Sequence, residues 1–245
     1  MAEREKPVFY SEAAYIVGLA LIAVGVAFMT AADWGLSMVV APAYLLHLRL
    51  SRILPWFSFG TAEYCLQAVL LVLMCLVLRR FRLSYLFSFV TAVLYGFMLD
   101  GALLLVGLIP AGGFVYHLLC YGAGLLLCAA GVSLIFHTYI SPEVYELFVK
   151  EVSGRCGVPI PRFKTGYDCV SCLVAVILSF AFFGLWHFEG VKLGTVFCAL
   201  VNGWTIGRFS RFYEKHWQFR DRLPWRGFFQ GEERGPAAST DKTPL

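Results

Sequence analysis

Four polar side chains sit in chain segments that otherwise read as hydrocarbon. Asp100 lies inside AVLYGFMLDGALLLVG (92–107), and Asn202 lies inside ALVNGWTIG (199–207). Glu63 and Asp168 stand at the heads of two apolar runs, in SFGTAEYCLQ (58–67) and TGYDCV (165–170). A carboxylate in such a place has two uses. It is a proton- or cation-coupling group, as intramembrane acids often are. Otherwise burial neutralises it, or a neighbour such as Tyr95 or Thr91 bonds it, and it fixes helix packing. Thr61, Glu63, Thr165 and Asp168 fall near span entrances. The partial positive charge of a helix N-terminus suits a bound anion there, and equally suits an acidic residue acting as a plain cap. Asn202, aligned with Tyr95, is a donor for an interhelical hydrogen bond. The candidate substrate or ion cavity is therefore Asp100, Asn202, Tyr95, Thr61, Glu63, Thr165 and Asp168.

Other chemistry is not indicated. CVSC (169–172) puts two cysteines on one helical face, but no second ligand pair stands at usable spacing. Apolar packing is the simpler role. No nucleophile–base pair, metal set or nucleotide loop marks an enzyme, no cofactor is implied, and no nucleic-acid motif occurs.

The elements that must position these groups are membrane helices. Of the 245 residues, 59% are hydrophobic and 15% are charged, with a mean hydropathy of +0.72. Uninterrupted apolar runs of about 20 residues cross a bilayer as helices. The sequence predicts an all-α membrane protein with six transmembrane helices at 12–32, 60–78, 84–109, 115–137, 166–186 and 191–209. Two further segments, 34–54 and 141–154, read as short interfacial or re-entrant helices. In the second, Ser141 is a cap, Pro142 the first helical residue and Gly154 the stop. With both termini on one side, 17 of the 20 Lys and Arg share that side, which the positive-inside rule makes cytoplasmic.

The chain also contains itself twice. GLALIAVGVAF (18–28) matches GLLLCAAGVSL (124–134), TAEYCL (61–66) matches TGYDCV (165–170), and AVLYGFMLD (92–100) matches ALVNGWTIG (199–207). The offsets are 106, 104 and 107. An odd number of spans per copy sets the second copy upside down, the construction of many secondary transporters. The domain plan is a cytoplasmic N-terminus (1–11), repeat 1 (12–109), repeat 2 (115–209) and a basic-aromatic cytoplasmic tail (210–245) with a disordered end. Gly203 and Gly207 form a small-xxx-small pair for close helix approach. Asp100 aligns with Gly207, so it is expected to face the bundle.

GLALIAVGVAFMTAADWGLSM, SFGTAEYCLQ, VTAVLYGFMLD, GAGLLLCAAGVSLIF, SPEVYELFVKEVSG and KLGTVFCALVNGWTIG, spread over residues 12–210, resemble the YitT/YczE family of bacterial integral membrane proteins. The resemblance implies a multi-pass protein of the bacterial inner membrane and carries no assigned site residues. The expected function is secondary transport of a small polar or anionic solute. The alternative is a non-transporting membrane scaffold or regulator. Expected partners are the lipid bilayer, a small-molecule or ion substrate, anionic lipid at the Arg-rich tail, and a second copy in a homo-oligomer.

Overall fold

The computed structural model describes residues 6–35, 37–57, 59–110, 112–184 and 191–230. The expected disorder of 231–245 and the end of the span at 185–186 lie outside them. In chain order the elements are β1 (Val8–Tyr10), α1 (Ser11–Ala32), α2 (Ala41–Leu50), α3 (Phe59–Leu78), a 3-10 turn (Leu83–Leu86) running into α4 (Phe87–Gly107), α5 (Phe114–Phe136), α6 (Val144–Cys156), α7 (Ile160–Phe183), α8 (Leu193–His216), β2 (Gln218–Arg220) and α9 (Arg226–Gln230).

The centre is the pair α1 and α5. A methyl group at Gly18 would meet the Gly131 carbonyl at 3.0 Å, and one at Gly131 would meet the Gly18 carbonyl at 2.5 Å. Gly25 and Gly124 oppose each other in the same way, at 2.8 and 2.6 Å. The pairings run in opposite chain directions, so the helices are antiparallel with touching backbones. Close backbone approach of this kind replaces the hydrophobic drive that lipid removes. α4 packs on α1, and α8 packs on α5. α2 and α6 each bridge the two ends of the bundle: α2 contacts α3 and α7, while α6 contacts α7 and α3.

Elsewhere the chain turns where its residues dictate. α1 stops at Asp33, whose φ of +50° is left-handed. α7 starts at Ile160 because Pro161 suits a first turn that needs no backbone donor. This is six residues earlier than the sequence predicts. The short helices also shift. The first is only Ala41–Leu50. The second begins after Glu143, with Ser141 instead donating to the Ser84 carbonyl, and runs past Gly154 to Gly157, where φ is +64°.

Among the described residues five helices are long and apolar enough to cross a bilayer, against six expected: Ser11–Ala32, Thr61–Leu78, Leu83–Gly107, Phe114–Phe136 and Ile160–Phe183. α8 differs because charge enters at Arg208 and continues through Arg211 and Lys215 to its end at His216. The outer faces of α3, α4 and α7 expose Val72, Leu76, Phe97, Leu104, Leu173 and Ile177. Exposed apolar faces of this extent are those of a multi-pass membrane protein.

The tail is docked as well as basic. β2 pairs in parallel with β1, Val8 opposite Gln218. Glu12 accepts bonds from the backbone N–H groups of Arg222 and Leu223 and from the Tyr139 hydroxyl at 2.7 Å. Phe229 packs against Phe87 and Tyr139, while Trp225 and Phe228 stay exposed.

Candidate functional site

Charged groups gather where α3, α6, α7 and α8 meet. Lys164 and Asp168 stand one turn apart on α7 and are almost wholly buried, 1% and 0% exposed. The Lys164 ammonium lies 3.1 Å from Asp168 Oδ1 and 3.3 Å from Glu146 Oε1 on α6. It also lies over the Tyr167 ring, 5.6 Å from its centre, where the ring face attracts a cation. Asn202 of α8 donates to Asp168 Oδ2 at 3.2 Å. The buried ammonium is thus held by two carboxylates, and one of these is held in turn. That arrangement is what a low-dielectric site demands of a buried charge.

A second group adjoins it from α3. Glu63 Oε1 accepts from the Tyr145 hydroxyl at 2.8 Å and from Gln67 Nε2 at 3.4 Å. Glu63 Oε2 and Gln67 Oε1 are buried without a hydrogen-bond partner among the described residues. Unsatisfied buried acceptors of this kind cost about 1–3 kcal/mol each.

The third member is Glu143, at the N-cap of α6. It lines a cavity of about 30 Å³ with Glu146, Pro142, Leu19, Ile22, Ile135 and Tyr95. This volume admits about two waters. Among the described residues the Glu143 carboxylate has no hydrogen-bond or ion-pair partner. Burial holds its pKa well above the usual carboxylate range, and the nearby charges of Glu146 and Glu63 push the same way, while Lys164 opposes them. The cluster therefore sets four carboxylates (Glu63, Glu143, Glu146, Asp168) around one ammonium. It can hold and release protons, and its charge balance favours a cation over an anion.

The sequence-derived candidates divide. Asp168, Asn202 and Glu63 enter this cluster, and Tyr95 lines its cavity. Thr165 bonds back to the Pro161 carbonyl and packs beside Gly203. Thr61 stands two residues before Glu63 on α3 and does not line the cavity. Asp100 is the correction. It is exposed on the outer face of α4, because the helix that would cover that face, α3, does not pack there. At the N-terminus of α6 the chain supplies its own carboxylate, Glu143. Cys172 is buried in the core and the Cys169 thiol faces the Ala199 carbonyl. No group of metal-ligating side chains occurs among the described residues.

Lys164 is missed because it falls between the expected short helix and the span at 166–186, and Glu143 and Glu146 because they lie mostly off the apolar face of the short helix 141–154. The available signal was Pro161, which marks the start of α7 and carries Lys164 into the helix, one turn from Asp168.

No curated protein and no solved structure matches the chain. The matching family carries a different description from YitT/YczE, which stays a resemblance. Residues 9–211 match the family described as "Family of unknown function (DUF6198)", and the chain belongs to that family.

Proposed function

We propose that the protein is a proton-coupled secondary transporter of a small polar solute in a bacterial plasma membrane, with Glu143 as a proton carrier. The observation behind this reading is a partnerless carboxylate on an internal cavity, inside a cluster with more acids than bases. Intramembrane acids facing a cavity are the usual parts of proton relays. The cluster draws on several helices, so helix movement changes its electrostatics.

The reading includes an inverted repeat with α8 as the sixth span. It is supported by the reciprocal glycine contacts. Gly18 aligns with Gly124 and Gly25 with Gly131, yet Gly18 touches Gly131 and Gly25 touches Gly124. Two copies related by an in-plane two-fold axis meet this way. It is supported too by matched cross-copy pairs, α2 with α7 and α6 with α3. Cytoplasmic termini follow from the basic residues. The exposed Trp225 and Phe228, beside Arg222 and Arg226, suit contact with anionic lipid.

The test is reconstitution in liposomes containing a pH-sensitive dye, with candidate solutes added outside. Solute-dependent proton movement that Glu143→Gln abolishes is the expected result. Proton movement unchanged in Glu143→Gln would refute the assignment of Glu143. Absence of any solute-driven flux across a broad metabolite panel would favour the scaffold reading.

A further inference from the structure

One helix pairing exists in only one copy. On α8, a methyl group at Gly203 would strike the Pro161 carbonyl and Thr165 of α7, and one at Gly207 would meet the Pro161 ring at 3.0 Å. α7 and α8 are therefore closed on a glycine face. In the aligned first copy Gly96 stands for Gly203 and Thr61 for Thr165. Yet Gly96 has open space around it, Asp100 is exposed, and among the described residues α3 and α4 have no extended packing, Phe89 alone of α4 joining the cluster that holds Leu71, Met74 and Leu78 of α3. The other large pairings match: α1 with α4 as α5 with α8, α2 with α3 as α6 with α7, and α2 with α7 as α6 with α3, while the small contacts of α6 with α4 and α5 lack counterparts of that size at α2. A second observation points to α3. Its Glu63 Oε2 and Gln67 Oε1 are buried acceptors without donors, so α3 is incompletely satisfied where it lies.

We infer that the protein has a second arrangement in which α3 docks on α4 through Thr61 and Gly96 while α7 parts from α8. This rests on the inverted-repeat reading and gives the proposed transporter its two states. Parting α7 from α8 breaks the bond between Asn202 and Asp168, and it changes the surroundings of Lys164. The charged cluster and the helix exchange are thereby one event. Symmetry is the physical warrant: Gly203 and Thr165 recur as Gly96 and Thr61, so that contact is open to α3 and α4, whereas Asp100 stands for Gly207 and the second glycine contact does not recur.

Native cysteines supply the test. Cys169 faces the Ala199 carbonyl, with Sγ 3.9 Å from the oxygen. The aligned pair is Cys65 and Ala92. A disulfide needs Cα atoms within about 7 Å, so Cys65 and Ala92→Cys report whether α3 comes to lie on α4. The other six cysteines are replaced by alanine, and Ala92→Cys or Ala199→Cys is added singly and together. Membranes are oxidised and free thiols labelled. The expected result is an intramolecular disulfide in each single variant. In the combined variant each molecule closes one pair and leaves the other pair labelled. Failure of Cys65 to pair with Ala92→Cys, under conditions where Cys169 pairs with Ala199→Cys, would overturn the inference. So would closure of both pairs in one molecule. Gly96→Cys joining two chains would do the same, because a second copy would then cover the α4 face. A monodisperse elution profile shows that each variant is folded. Crosslinking reads the arrangement alone, so an absence of solute flux with intact crosslinks would remove transport and leave the exchange standing.

Discussion

Replacing Lys164 by methionine tests whether the buried ammonium organises the bundle. Methionine keeps the unbranched stem and most of its volume, one atom shorter, and removes the charge. Asp168 and Glu146 then lose a cation at 3.1 and 3.3 Å. Asp168 keeps only the Asn202 amide. Breaking a buried pair by removing one partner costs about 3–5 kcal/mol, because the remaining charge is stranded. For a chain of this size that corresponds to a drop of roughly 6–20 °C in unfolding midpoint. Thermal unfolding of purified protein, followed by tryptophan fluorescence, measures it. The double variant Lys164→Met/Asp168→Asn separates stranded charge from lost packing. Asparagine is neutral and can still bond Asn202, so it should recover about 1–3 kcal/mol of the loss. A Lys164→Met protein as stable as the original, or a double variant no better than the single, would refute the reasoning that α6 and α7 are joined through this ammonium.

Four further outcomes follow from the same geometry. The unfolded chain loses the Glu143 proton near pH 4.5, whereas the folded protein keeps it to higher pH. The native state binds the extra proton in that window, so stability falls as pH rises through it. Glu143→Gln should remove this slope, as unfolding midpoints over a pH series would show. Gly131→Val should destabilise by at least 1–3 kcal/mol, the ordinary range for overpacking, since its methyl groups enter the Gly18 carbonyl and Ile22. Gly96→Val, in open space, should fall within about 0.5 kcal/mol of the original in the same assay, because the new side chain meets nothing there and valine is no poorer a helix former than glycine. Asp100→Asn should leave any proton coupling intact, because the side chain lies outside the cavity; loss of coupling in the liposome assay would return Asp100 to the mechanism.

Much of this architecture is legible in the residues, for physical reasons. The runs that became α1, α3, α4 and α5 are long and carry at most one acidic residue each, and length against bilayer thickness is a strong constraint. The glycines at 18, 25, 124 and 131 mark their own contacts because only glycine permits them. Asp168, Asn202 and Glu63 stand out because polar groups need partners in such surroundings. Lys164 is harder to see. Its segment reads as cytoplasmic loop until Pro161 is taken as a helix start, and six residues of helix, about 9 Å, decide whether the lysine is solvated or buried. Glu143 and Glu146 share that fate: a short helix with little apolar bias does not declare which face turns inward. Asp100 fails for the opposite reason. Alignment places it on a face that is covered in one copy, and sequence cannot say that the other copy leaves that face bare.

The pairing of Val8–Tyr10 with Gln218–Arg220 has a consequence for how the molecule is made. The first strand leaves the ribosome about 210 residues before its partner, with every membrane helix still to be inserted between them. Until then its edge groups are answered by water alone. Sealing the clasp therefore waits until the chain has been made past β2, and the bonds that the Arg222 and Leu223 backbone N–H groups donate to Glu12 make that closure a molecular receipt for insertion of the helices between the two strands.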